Sequence, residues 1–232
     1  MKSLNNYITE KLIIEVRKTV DYKYFPDTKE ELQELLKQLI EERGNEGDFN
    51  DIDVSKITDM SFLFEDMSRF NGDISSWDVS SVTNMESMFG GCVNFNQPLR
   101  DWNVSNVTNM KRMFESCHMF DQYISRWNIS KVTNMESMFF GCTKFNKDIS
   151  NWNVSKVNNM NSMFYRCENF NQDISKWVVS RVKDMSFMFY HCEKFDQDIS
   201  NWNVSKMKNV RRFTGVFDYC PIKDYYKPKF PI

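Results

Sequence analysis

The apolar positions of this chain recur with a period of 25 residues. Trp77, Trp102, Trp127, Trp152, Trp177 and Trp202 form one column and account for every tryptophan. Val79, Val104, Ile129, Val154, Val179 and Val204 form a second column, and Val82, Val107, Val132, Val157, Val182 and Met207 a third. Methionines from Met60 to Met185, phenylalanines from Phe64 to Phe189 and Phe70 to Phe195, and cysteines from Cys92 to Cys192 keep the same step. A fixed period of this size marks a quasi-one-dimensional stack, in which each unit packs only on its neighbours.

Each unit divides into two local patterns. The segment Ile-x-x-Trp-x-Val alternates apolar residues with β-favouring side chains, which predicts a short strand and turn. Thr83 to Glu86 and Thr133 to Glu136 read as capping boxes. Met85, Met88, Phe89 and Cys92 then follow at i, i+3, i+4 and i+7, which predicts a helix of about two turns ending near Gly90 and Gly91. The reading is an α/β stack of about six to seven coils, each contributing a short strand and a short helix.

The ends differ from the middle. Leu32, Leu35, Leu36, Leu39 and Ile40 make one apolar stripe between a Thr28–Glu31 capping box and Gly44, so a helix over 27–43 should cover the first coil. Phe49 and Ile52 take the Ile and Trp phases of a degenerate first coil. At the other end a strict count puts Val210, Thr214 and Phe217 at the Met, Phe and Cys phases, and Cys220 at a Phe phase. The Pro-containing aromatic tail should lie over the last coil. The domains expected are an N-terminal segment with its capping helix (1–48), the repeats (49–214) and a C-terminal cap (215–232).

The run Met-Phe-x-x-Cys-x-x-Phe-Asn-Gln-Asp-Ile-Ser-x-Trp-Asn-Val-Ser-x-Val-Thr-Asn-Met resembles the short repeat of the BspA-like leucine-rich-repeat proteins, over about residues 49–214. These are bacterial surface and lipoprotein modules that also occur in phage-borne proteins. The resemblance implies an open, right-handed leucine-rich-repeat-like solenoid used for protein interaction, without enzymatic activity, and it carries no catalytic residues over.

Charge narrows the partners. Thirty basic and 32 acidic residues give a net charge of −2, so no global field favours nucleic acid. No uninterrupted apolar h-region, lipobox cysteine or 18-residue apolar run is seen, which predicts no membrane span. Cytoplasmic or virion-associated residence is expected on that reading, with a cell-surface location implied only by the resemblance. The five in-phase cysteines lack Cys-x-x-Cys spacing and read as buried thiols, with neither metal nor cofactor expected. The only two histidines, His118 and His191, sit at variable phases without a nucleophile elbow or phosphate loop, so no catalytic residue is assigned.

Specificity must then lie off the columns. Phe140, Tyr165 and Tyr190 occupy one phase in successive coils and predict a contiguous aromatic strip flanked by Arg166 and His191. Such a strip either packs along the coils or forms a protein-binding hot spot. A weaker candidate is the basic column Lys131, Lys156, Arg181 and Lys206, with Lys183 and Lys208 two residues on. It is either a solvated face neutralised by Asp148, Asp173 and Asp198, or a docking stripe for an acidic partner, a glycan or nucleic-acid phosphate. The function expected is a non-catalytic interaction module for a macromolecular partner, most simply a protein. The alternative is a structural component of a phage or cell-surface assembly, docked through residues 1–25.

Overall fold

The computed structural model describes residues 21–207 and 209–231. Residues 1–20, most of the expected docking segment, and Lys208 lie outside the described part.

One helix, α1 (Lys29–Arg43), opens it. The Thr28 hydroxyl oxygen accepts from Glu31 N at 3.2 Å, while Glu31 reaches back to accept from Asp27 N at 2.8 Å. The box therefore closes one residue upstream of the expected partner. Gly44 ends the helix at φ 77°, a left-handed value open to glycine, with its N–H on Ile40 O. Leu32, Leu36 and Leu39 are buried in the same core as the repeats. Arg43 makes a two-pronged pair with Asp51 at 2.8 and 3.1 Å, which fastens the helix to the first coil. That pairing raises the Arg43 pKa and lowers that of Asp51.

From residue 48 onwards, each coil lies in register on the next. Parallel bridges link Asp59, Asn84, Asn109, Asn134, Asn159 and Asp184 in sequence. The aromatic columns stack face to face: Phe64, Phe89, Phe114, Phe139, Phe164 and Phe189 follow one another at 5.5–5.8 Å between ring centroids. Each indole is buried with its N–H donating to a carbonyl of the coil before, as Trp152 does to Ile124 O at 3.2 Å. The tryptophan ladder thus closes coil to coil and offers no face to a ligand.

The expected helix in each repeat does not form. Residues 85–92 run through consecutive turns, with Ser87 at φ 49° and Gly91 at φ 76°. The reason is the accounting of backbone donors. The N–H groups of Met85, Ser87, Phe89 and Gly91 donate forward to Asn109, Lys111, Met113 and Glu115 carbonyls at 2.8–3.0 Å. Those of Met88, Gly90 and Cys92 close turns onto Met85, Ser87 and Phe89, and Asn84 Oδ1 takes the Glu86 N–H. A helix would consume the forward donors and leave the coils unjoined. Thr83 accordingly caps nothing; its N–H and hydroxyl both reach Thr58 O.

Two left-handed residues four apart recur in every coil, including Ser137/Gly141, Ser162/Arg166 and Phe187/His191. Glycine fills only a minority of these places, and a side chain there costs about 1–2 kcal/mol. Gly141→Ala should therefore lower stability by roughly 1–2 kcal/mol through backbone strain alone, because the nearest atom to an added Cβ is at 3.6 Å. Gly91→Ala should cost more, since Asp66 backbone lies at 3.1 Å. Urea denaturation of the two variants side by side checks the order.

The last coil corrects the strict count. Met160 N donates 24 residues ahead to Asp184 O, whereas Met185 N donates 27 ahead to Arg212 O. Three extra residues enter around the short 3-10 turn Val210–Arg212. Phe217, not Thr214, stacks on Phe189 at 5.7 Å, and Phe213, Val216, Phe217 and Cys220 replay Met185, Met188, Phe189 and Cys192. The repeat therefore continues past residue 214. Phe230 from the tail stacks on Phe213 at 4.7 Å and closes the core there.

Candidate functional site

The aromatic strip is contiguous. Phe140 and Tyr165 stack at 4.5 Å and 3°, and Tyr165 and Tyr190 at 4.7 Å and 10°. All three are half-buried. They follow the core Phe by one residue, so the coil-to-coil register that stacks the core also stacks them. Arg166 and His191 take left-handed positions at φ 56°, and the Arg166 guanidinium lies 5.9 Å from the Tyr165 ring centroid.

Two residues extend the strip that sequence reasoning did not assign to it. Tyr219 is 69% exposed, stacks on His191 at 4.3 Å and meets Tyr190 edge-on at 5.3 Å. It is the last-coil counterpart of His191, concealed by the three-residue insertion. Phe187, 38% exposed, meets Tyr190 edge-on at 5.9 Å. Its signal was an aromatic at a phase that holds Ser or Arg from Ser87 to Ser162 and Phe only in the first coil, at Phe62.

Below Phe140 the same phase holds Glu115. Burial raises its pKa, opposed by Arg112, whose Nε lies 3.5 Å away. The native chain then binds the proton more tightly than the unfolded chain. Stability from this group falls as pH rises from the ordinary carboxylate value through the raised one. Glu115→Gln should be more stable than the parent at neutral pH, and the gap should close in acid; thermal melts between mild acid and neutrality check both. A gap that widens in acid would reverse the sign.

The basic column stands apart from the acids expected to neutralise it. Asp148, Asp173 and Asp198 accept from the backbone N–H of Ser150, Ser175 and Ser200 at 2.8–3.0 Å. Lys131, Lys156, Arg181 and Lys206 are exposed, and none forms an ion pair with a described residue; Lys131 instead donates to Asn106 Oδ1 at 2.7 Å.

The thiols are chemically quiet. Cys92, Cys117, Cys142, Cys167 and Cys192 are buried and free, each Sγ near a Phe carbonyl of the coil before, as Cys142 is to Phe114 O at 3.0 Å. Burial pushes Cys92 up to about 12 and raises Cys117, Cys142, Cys167 and Cys192 well above the ordinary thiol value. Among the described residues no group of His, Cys, Asp and Glu could hold a metal ion, and no helix is long and apolar enough to cross a membrane.

The molecule is a repeat protein whose surface variation is carried on invariant columns. It belongs to the family described as "Mycoplasma protein of unknown function, DUF285", whose model matches twice, at residues 31–144 and 122–220. No curated protein and no solved structure matches the chain.

Proposed function

We propose that the chain is a non-catalytic, leucine-rich-repeat-like solenoid of the BspA-like kind that docks a protein partner through the strip Phe140–Tyr165–Tyr190, extended by Phe187, His191 and Tyr219. The observation that carries this reading is an aromatic cluster left outside a core that is already complete. The Phe columns close without it, yet it gathers Tyr, Arg and His at the surface. Tyr and Arg are the residues most enriched in hot spots, because they bring large contact area together with hydrogen-bonding tips. Stacking covers the ring faces of Phe140, Tyr165 and Tyr190 with one another, so their edges and hydroxyls are what a partner meets. That favours a protein surface over a sugar ring, which needs an open face.

Tyr219 is the residue that separates binding from packing, since its exposure makes alanine there cheap for the fold. The test is affinity capture from source cells with the full chain, Tyr219→Ala, Tyr190→Ala and, as a control off the strip, Val178→Ala. A specific prey should bind about tenfold or more weakly to the two tyrosine variants, the scale of a hot-spot loss near 2 kcal/mol. Equal capture by all four proteins would remove the strip from the mechanism.

A further inference from the structure

We propose that a second site, the groove between the basic column and the neighbouring Thr133–Asn158–Lys183 column, binds an acidic, extended polypeptide segment. It stands beyond the aromatic strip and does not depend on it.

Several charges that face a neighbouring coil or cap are paired across it. Asp59 meets Lys29 of α1 at 3.7 Å, Glu136 meets Lys111 at 3.3 Å, and Asp196 meets Lys223 of the tail at 3.2 Å. Asp121 meets Lys147, which replaces the Gln of other coils only where Asp replaces Asn. Asp184 meets Arg212. Lys56, at the phase of the basic column in the first coil, is answered by Asp27.

From Lys156 onward the basic column is not answered in this way. Lys156, Arg181 and Lys206 follow one another, Lys183 sits two residues from Arg181, and none has a side-chain partner among the described residues. The same phase holds Ser81 and Asn106 earlier, so the stack itself does not require a cation there. Like charges about 4.8 Å apart repel. Cations stacked at this spacing with no counter-ion among the described residues make a field for an external anion.

The shape selects the anion. Lys156, Arg181 and Lys206 form one rail and Thr133, Asn158 and Lys183 the other, with Val182 between them, in an open groove of about 640 Å³. The rails run along the stack, so from Lys131 to Lys206 a ligand meets a cation every ~4.8 Å over about 14 Å, the length of roughly four extended residues. Among the described residues no aromatic side chain lines the groove, which removes the stacking platform that single-stranded nucleic acid uses. The Thr133 hydroxyl, which donates to Thr108 O at 3.2 Å, keeps an acceptor, the Asn158 amide offers both donor and acceptor to a peptide main chain, and the cations face its carboxylates.

The test uses the full chain and a dye-labelled oligoglutamate peptide, with oligoglutamine, single-stranded and duplex oligonucleotides and a heparin fragment as comparisons, read by fluorescence anisotropy. Oligoglutamate should bind at low salt, weaken about tenfold or more in high salt, and lose about tenfold or more on charge reversal in Arg181→Glu or Lys156→Glu. Both positions are exposed, and unchanged melting curves show that the variants fold. Tyr219→Ala should bind the peptide like the parent, which keeps this outcome distinct from that of the aromatic strip. The proposal is overturned if oligoglutamate fails to bind, if reversal leaves its affinity unchanged, or if an oligonucleotide or heparin of equal charge binds more tightly.

Discussion

Replacing Phe139 by alanine is expected to remove about 3–5 kcal/mol of stability, the range for truncating a fully buried aromatic. Phe139 is fully buried, stacked between Phe114 at 5.8 Å and Phe164 at 5.7 Å, with Phe145 at 4.3 Å on its flank. The cavity would open in the middle of the stack, where rings on both sides are held by their own coils and cannot collapse into it. Total stability of a domain is typically about 5–15 kcal/mol, so the loss could consume much of it. Phe217 supplies the comparison, because it is half-buried and is stacked by a core ring on one side, Phe189. Phe217→Ala should cost clearly less. Urea denaturation of both variants checks the ranking, and equal losses would contradict a core whose coupling runs from neighbour to neighbour.

Putting a charge at the buried face of α1 should have an effect of similar size and a different form. Leu36 is 1% exposed between Leu32 and Leu39, and Leu36→Glu would bury a carboxylate among apolar side chains. The group either takes up a proton or drives the helix off the first coil. Detachment withdraws Leu32, Leu36 and Leu39 from the core they share with the first coil and bares an apolar end that can meet another copy. The expected result is loss of amide protection in α1 and the first coil, retained protection in central coils, and concentration-dependent association on size exclusion. Protection lost evenly along the chain would instead make α1 part of one cooperative unit with every coil.

Much of the candidate site was legible in advance, because register was. A period of 25 means that Phe140, Tyr165 and Tyr190 must be neighbours once the core Phe residues stack. Tyr219 was not legible, since a strict count cannot show a three-residue insertion until the donors of Met185 to His191 are seen to skip ahead. The repeat Phe-x-x-Val-Phe-x-x-Cys over 213–220 was the available sign. The separation of the basic column from Asp148, Asp173 and Asp198 was equally hidden, because each carboxylate is held by a serine N–H of its own turn.

The helix expected in each unit shows where pattern alone misleads. Apolar residues at i, i+3, i+4 and i+7 mark one face of a helix, but here overlapping four-residue turns over 85–88, 87–90 and 89–92 bury the same positions. Local sequence carries the face that is buried and says little about where the backbone donors go. Only neighbouring coils decide that, and they draw every second N–H of residues 85–91 out of the chain's own turn.

The period, the buried columns, the capping helix with its Thr28 and Gly44 ends, and the surface phases that vary can all be read from the chain's own spacing. Those follow from side-chain polarity and spacing, which are local properties of the chain. Packing between coils set the turn conformation, the left-handed residues four apart, the offset of the last coil and the absence of described partners for Lys156, Arg181, Lys183 and Lys206. Each of these depends on what lies in the adjacent coil, about 25 residues away in the chain and one hydrogen bond away in space.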